Sequence, residues 1–151
     1  QVAKQHLHMK CISYDLPEVA SLAKAYISQN GLSERVETGS GSFFDTIPKA
    51  DIIVMGNILH DWSESEKLTL IKNVYDALPP GGAFVCIENI IDNDRRKNTF
   101  GLLMSLNMLI ETKEGKDFTF KEFSDWTRQT GFSRQELIPL AGPSSAAVAY
   151  K

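Results

Sequence analysis

Residues 52–62 read IIVMGNILHDW, and this stretch decides the fold class. Four consecutive apolar residues, 52–55, are typical of a strand that is buried on both faces of a sheet. Gly56 ends the apolar run, and a histidine, an acid and an aromatic residue then follow one another at positions 60–62. We therefore predict a buried strand that delivers His60 to the carboxyl end of a sheet, where α/β proteins bind their ligands.

Downstream of this stretch, helix-like and strand-like segments alternate. Ser63 with Glu66 forms a capping box that begins a helix, and the turn at residues 79–82 (PPGG) ends it. The predicted apolar stripe of this helix consists of Leu68, Ile71, Val74, Tyr75 and Leu78. A strand at residues 83–87 follows and is closed by Glu88. A helix at residues 99–112 is apolar on most of its circumference.

The two ends of the chain complete the pattern. A strand at residues 10–14 precedes a helix that begins at Pro17, ends at Asn30-Gly31, and has an apolar face predicted at Val19, Leu22, Ala23 and Tyr26. Thr119 with Glu122 forms a second capping box, which begins a helix that ends at Gly131. Residues 133–139 and 146–150 are predicted to close the fold as an antiparallel pair. Such alternation predicts an α/β fold with a mostly parallel sheet covered on both faces.

Composition excludes several classes of protein. The 151 residues carry a net charge of −3 without any cluster of lysines and arginines, which argues against binding to a nucleic-acid backbone. No apolar run approaches the ~20 residues that span a bilayer, so no membrane is expected. Cys11 and Cys86 lie inside apolar runs, which predicts reduced thiols in a cytoplasmic protein. The chain begins with Gln1 and lacks a signal peptide, so we expect a fragment or a processed chain.

Acidic residues stand at the ends of the predicted strands. Asp15 can accept hydrogen bonds from both hydroxyls of a nucleotide ribose, although it can equally cap the helix that follows. Glu88 is placed to orient the imidazole of His60 on the adjacent strand, and Asp117 lies in a polar loop that can reach the same place. Carboxylates fix the tautomer of a histidine and raise its basicity, which suits a general base. The alternative for His60 is a solvated surface residue at the start of a helix.

Five motifs, taken together, resemble the catalytic domain of the S-adenosylmethionine-dependent O-methyltransferases, the class that includes the plant caffeate and flavonoid enzymes and the acetylserotonin enzymes. The motifs are YDLP at 14–17, GSFF at 41–44, LHDW at 59–62, LPPGG at 78–82 and GKDFT at 115–119. The resemblance implies a Rossmann-like, doubly wound methyltransferase sheet, mostly parallel, with a C-terminal antiparallel strand pair. It makes residues 1–151 one catalytic domain, incomplete at its N-terminus.

The resemblance also implies roles for individual residues. His60 is the general base, and Glu88 and Asp117 are the two acids that flank it. The residues that contact S-adenosylmethionine are Asp15, Leu16, Gly41, Ser42, Phe43, Gly56, Asn57 and Trp62. The acceptor pocket is built by Met104, Asn107, Met108 and Glu111. No metal is implied, and the three histidines, which include His6 and His8 near the start of the chain, do not form a metal cluster.

The chain departs from the family pattern in several places. Ser42 stands where the family usually has Asp, so the adenine is held more weakly, and Asp117 is one methylene shorter than the Glu of many relatives. The first strand of the sheet, the glycine-rich loop that follows it and an upstream helical dimerisation domain are all missing. We therefore expect unpaired strand edges and no activity from this chain alone, and a homodimer for the full-length protein.

The expected function is transfer of a methyl group from S-adenosylmethionine to a hydroxyl of a small aromatic acceptor. Two alternatives keep the fold: a non-catalytic partner domain, and a methyltransferase that acts on carbon or nitrogen. A nicotinamide-dependent oxidoreductase also uses a parallel sheet with a ribose-binding acid. The LHDW motif followed by PPGG and the closing antiparallel pair argue against that third reading.

Overall fold

A computed structural model describes all 151 residues, which form two compact units, Gln1–Pro48 and Lys49–Lys151. None of the helices combines the length and apolar character that crossing a lipid bilayer requires.

The N-terminal unit is built around two parallel strands. It contains α1 (Val2–Gln5), β1 (Cys11–Asp15), α2 (Pro17–Gln29) and β2 (Val36–Ser40). Cys11 pairs with Val36 and Asp15 with Ser40, so the carboxyl ends of both strands lie side by side. The sequence did not predict β2, because its residues VETGS are mostly small or polar and read as a turn.

Helix α2 begins at Pro17 as predicted, but the apolar face predicted for it is not buried. Leu22 and Tyr26 are 71% and 68% exposed, and the single buried residue of the helix is Ile27. A two-stranded sheet is too narrow to cover the face of a four-turn helix.

The C-terminal unit contains the remaining elements. They are β3 (Ile52–Gly56), a 3₁₀ turn (Leu59–Asp61), α3 (Glu64–Ala77), β4 (Ala83–Glu88), α4 (Thr99–Glu111), α5 (Phe120–Thr130), β5 (Arg134–Pro139) and β6 (Ser145–Tyr150). The strands form one sheet in the order β3-β4-β6-β5. β3 is parallel to β4, whereas β6 is antiparallel to both of its neighbours. The α/β class and the closing antiparallel pair are therefore confirmed.

Two predictions about burial need correction. β3 was expected to be buried on both faces, but only Ile53 and Met55 are buried. Ile52 and Val54 point to the opposite face of the strand, which is exposed. The buried side of α3 consists of Lys67, Leu70, Ile71, Val74 and Ala77. Leu68 and Tyr75 are only half-buried, whereas Leu78 is buried as predicted but lies beyond the helix as its C-terminal cap.

Both capping boxes are confirmed. Ser63 and Glu66 begin α3, and Thr119 and Glu122 begin α5, each through reciprocal bonds between side chains and backbone amides. Gly131 ends α5 in the left-handed conformation that favours glycine. The boundaries of both helices thus follow from local residue chemistry.

Candidate active site

His60 reaches its position through a sharp turn at the end of β3. Asn57 adopts a left-handed conformation with φ of 53°, which asparagine tolerates better than most residues. Its amide donates to the carbonyl of Ile87 on the neighbouring strand at 3.0 Å. The 3₁₀ turn begins two residues later and buries His60, whose residual exposure is 6%. The alternative of a solvated surface histidine is therefore wrong.

Glu88, the last residue of β4, holds both the 3₁₀ turn and the imidazole. Its Oε1 accepts hydrogen bonds from the amides of Ile58 and Leu59, each at 3.0 Å. Its Oε2 lies 2.8 Å from Nδ1 of His60. One buried carboxylate therefore satisfies the free amides of the turn and orients the ring, so that Nδ1 carries a proton and Nε2 is directed elsewhere.

Asp117 approaches the same nitrogen from the loop between α4 and α5. Its Oδ1 lies 3.6 Å from Nδ1 of His60, and its own backbone amide donates to Oγ of Ser105 at 3.2 Å. The carboxylate is fully buried, and neither oxygen has another hydrogen-bond partner. A buried charge without other compensation favours the protonated, positive imidazole beside it.

The two carboxylates dominate the titration of the histidine. Asp117 and Glu88 raise the pKa of His60 to about 10, against the lowering effect of burial. One potential metal-ligating atom from each of His60, Glu88 and Asp117 lies within 4.8 Å of the other two. The 2.8 Å separation suits a shared proton, since two ligands of one tetrahedral zinc at about 2.0–2.1 Å lie about 3.3 Å apart.

Sequence reasoning missed two residues that shape this cluster. Oδ1 of Asp61 lies 3.3 Å from Nε2 of His60, on the more open side of the ring, and the Asp61 side chain is partly exposed. Gly115 packs directly on the backbone of the 3₁₀ turn: an added Cβ would lie 2.6 Å from the carbonyl oxygen of His60. Gly115 begins the GKDFT motif, but the motif does not reveal this contact, because the contact joins distant segments.

The residues predicted for the acceptor pocket share one face of α4. Met108 is buried, Met104 and Asn107 are half-buried, and Glu111 is exposed. Helix α4 packs against the 3₁₀ turn that carries His60. Glu111 and Trp62 line a common open groove of about 590 Å³ together with Asp61. Their role in binding an acceptor stays a prediction.

The N-terminal unit brings together the residues predicted to contact the nucleoside. Asp15 is exposed, and its Oδ1 accepts a hydrogen bond from the amide of Leu16 at 2.8 Å. The alternative of a cap on α2 is wrong, since Leu16 is the N-terminal cap of α2 and Asp15 precedes it. The amide of Gly41 donates to the Asp15 carbonyl at 3.0 Å.

The residues around Gly41 form a tight turn. A Cβ at Gly41 would lie 2.3 Å from the hydroxyl of Tyr14, so a larger residue there would displace that ring. Oγ of Ser42 accepts a hydrogen bond from the amide of Phe44 at 3.2 Å, and Phe43 is half-buried. Their contacts to a cofactor stay predictions, as do those of Gly56, Asn57 and Trp62 in the C-terminal unit.

Comparison with known proteins confirms the resemblance that the motifs carry. A family model described as an O-methyltransferase domain matches residues 1–133. The tetracenomycin polyketide synthesis 8-O-methyl transferase of Streptomyces glaucescens is 33% identical over 149 residues, which are 98% of this chain and 44% of that protein.

Two solved structures show the same fold. Human N-acetylserotonin methyltransferase in complex with SAM matches with a TM-score of 0.89 and 31% identity, over 99% of this chain and 42% of that one. An O-methyltransferase family 2 protein from Planctomyces limnophilus, in complex with apigenin, matches with a TM-score of 0.92 and 26% identity, over 99% of this chain and 45% of that one. The chain thus spans less than half the length of the proteins it matches.

Proposed function

The chain belongs to the family of O-methyltransferase domains, and we propose that its full-length protein transfers a methyl group from S-adenosylmethionine to a hydroxyl of a small aromatic acceptor, with His60 as the general base. The observation that carries the proposal is the buried imidazole whose Nδ1 is held by Glu88 at 2.8 Å while Nε2 lies on the more open side of the ring. That arrangement leaves one nitrogen for proton removal.

The chemistry of Asp15 fits the ribose of the cofactor. Its carboxylate is exposed at the carboxyl end of β1, and the Leu16 amide engages one of its two oxygens. A ribose diol needs such an acceptor. When bound, the cofactor would supply a methyl group on a sulfonium, and the neutral thioether that remains after transfer is a good leaving group. The protein's own task is therefore alignment, worth about 7–11 kcal/mol of the barrier, and removal of the acceptor proton.

The pKa of His60 is close to that of an aromatic hydroxyl. A phenol such as the tyrosine side chain has a pKa near 10, and the pKa of His60 is about 10. Proton transfer between groups of matched pKa is close to balanced, whereas an aliphatic hydroxyl, which like water is several units less acidic, would hold its proton. The match supports phenolic acceptors, as does the complex of the Planctomyces limnophilus protein with apigenin.

Substitution of His60 tests the proposal in the full-length protein. We expect His60→Gln to lower turnover of a hydroxylated aromatic by about 10²–10⁴-fold, because only general-base catalysis is lost. Binding of S-adenosylmethionine, measured by calorimetry, should stay within about twofold of wild type, since His60 is not among the predicted cofactor contacts.

A matched control is His8→Gln, which changes an exposed histidine and should leave turnover unchanged. Wild-type turnover in His60→Gln would exclude His60 as the base. Product analysis by mass spectrometry and NMR separates methylation on oxygen from methylation on carbon or nitrogen, and absence of any methylated product would favour a non-catalytic partner domain.

We also propose that residues 1–151 are the C-terminal part of one catalytic domain and that the full-length protein is a cytoplasmic homodimer. The short span of the chain relative to its matches supports the first statement. Both cysteines are free thiols, as in a reducing compartment. Several apolar residues of α4 are exposed and require a cover that the described residues do not supply: Phe100, Leu103, Leu106, Leu109 and Ile110.

A further inference from the structure

Lys67 on α3 is a fully buried lysine beside the candidate site. Its exposure is 0%, and it is among the largest side chains that the protein buries completely. Lysine is almost never fully buried unless its ammonium is paired, because desolvation of the charge is costly. Such a residue at the N-terminal end of an otherwise apolar helix face needs a physical reason.

The ammonium of Lys67 joins two segments that are far apart in sequence. Nζ donates to the carbonyl oxygen of Trp62 at 2.6 Å and to that of Lys116 at 3.2 Å. It also faces the rings of Phe118 and Trp126, at 5.8 Å and 5.9 Å from their centroids. Two charge-assisted hydrogen bonds and two aromatic faces compensate for the lost hydration.

The two carbonyls belong to the segments that carry the reacting histidine and one of its acids. Trp62 follows His60 by two residues, and Lys116 immediately precedes Asp117. We propose that Lys67 is a positioning residue of the methyltransferase site: its ammonium ties the 3₁₀ turn to the 112–117 loop and so holds Asp117 against the imidazole of His60. The inference rests on the proposed function only for its effect on turnover.

Charge balance supports this placement. Protonated Lys67 and His60 offset the carboxylates of Glu88 and Asp117, so four buried charges sum to zero. Burial and the neighbouring Lys116 lower the pKa of Lys67, while Glu88, Asp117 and Glu122 oppose that effect. The groups that face His60 from the surrounding elements are Asp61, Glu88 and Asp117, with Lys67 behind the loop.

Positioning and simple charge compensation predict opposite effects on His60. If Lys67 contributed only a positive charge, its removal would make the cluster more negative and raise the pKa of His60. If Lys67 holds the loop, its removal leaves two buried carbonyls without a donor, the loop shifts towards water, and Asp117 moves away. Asp117 makes the largest contribution to the raised pKa of His60, so that pKa would fall.

The test is Lys67→Met in the full-length protein, with Lys72→Met as the matched control. Lys72 lies on the same helix but is exposed and pairs with Asp76. The His60 imidazole is followed by nitrogen NMR and assigned by its absence in His60→Gln. We expect its titration midpoint in Lys67→Met to fall by about one pH unit or more, and that in Lys72→Met to match wild type. A midpoint that rises or stays in place overturns the inference.

Turnover provides a second readout. We expect Lys67→Met to lower kcat by about 10-fold or more while KM for S-adenosylmethionine stays within about twofold, because alignment and not cofactor binding is lost. In an Asp117→Asn background, Lys67→Met should lose most of this effect, since the two residues act as one unit. An undiminished effect in that background overturns the inference.

Two measures keep the outcome clear. If thermal unfolding shows that Lys67→Met does not fold, Lys67→Gln replaces it. The shorter glutamine side chain keeps a neutral donor but cannot reach both carbonyls, so the same fall in the titration midpoint of His60 is expected. The midpoint is measured without turnover. A shifted midpoint in a protein that methylates no hydroxylated aromatic therefore overturns the proposed function alone, and an unshifted midpoint in an active enzyme overturns the role of Lys67 alone.

Discussion

His60 has two nitrogens in different surroundings. Nδ1 lies among the buried carboxylates of Glu88 and Asp117, whereas Nε2 lies beside the partly exposed Asp61. The buried pair keeps the ring protonated over a wide pH range, so the neutral base becomes abundant only as the pH rises towards about 10. The same two acids thus raise the basicity of the imidazole and limit the fraction of it that is neutral.

Glu88→Gln separates these two effects. The substitution removes the Glu88 carboxylate, whose negative charge stabilises the imidazolium. The pKa of His60 therefore falls, and the acidic limb of log kcat/KM moves to lower pH. The plateau should fall about 10-fold, less than on loss of the base, because the ring loses its orienting partner. The pH profile of the full-length enzyme gives the measurement.

The control for this profile is Glu34→Gln, which removes an exposed acid of the N-terminal unit and should leave the limb in place. An acidic limb at the wild-type pH in Glu88→Gln would contradict an orienting role for Glu88.

At the level of elements, capping determines where the site segments end. Thr119 begins α5 two residues after Asp117: its Oγ1 accepts from the Glu122 amide at 3.1 Å, and Oε2 of Glu122 accepts from the Thr119 amide at 2.7 Å. The capping box therefore fixes the C-terminal end of the 112–117 loop, while Gly115 and Lys67 fix its middle.

Thr119→Ala tests the contribution of this cap. We expect a loss of about 1 kcal/mol in the free energy of unfolding, since the half-buried amide of Glu122 loses its acceptor. Thermal unfolding should show a Tm lower by about 2–4 °C. Thr69→Ala is the control. Thr69 is an exposed residue in the middle of α3, where alanine favours the helix, so no loss of unfolding free energy is expected. Equal effects of the two substitutions would contradict a capping role.

At the level of the whole molecule, the described residues leave strand edges and apolar side chains uncovered. β1 pairs only with β2, and β3 pairs only with β4. Exposed apolar residues are concentrated on α4, where Ile110 is 84% exposed. Unpaired edges and apolar patches of this kind promote association.

We therefore expect the purified 1–151 chain to associate with increasing concentration and to show no turnover, whereas the full-length protein is active and well behaved. Light scattering and a methylation assay on both proteins provide the comparison. Turnover by the isolated chain at a rate near that of the full-length protein would contradict this expectation.

Sequence patterns were enough to predict helices α2 to α5, most of the strands and the grouping of His60 with Glu88 and Asp117. Capping boxes, turn glycines and apolar runs are recorded in neighbouring residues, so helices α3 and α5 could be placed to within a residue or two. β2 was not predicted, because a short strand of small and polar residues has no local hydrophobic pattern. His60, Glu88 and Asp117 were found because acids and a histidine at strand ends and in a facing loop form a recognisable pattern.

The contacts that hold these three residues together became visible in the folded chain. In the local sequence, Lys67 is one more polar residue after a capping box, and Gly115 is a motif residue without an assigned role. Their importance arises from contacts with carbonyls and backbone atoms of distant segments, such as the bond from Lys67 to residue 116, 49 positions away. Spacing along the chain records which residues share a helix face, but not which buried donor meets which buried acceptor, because that depends on packing of the whole unit.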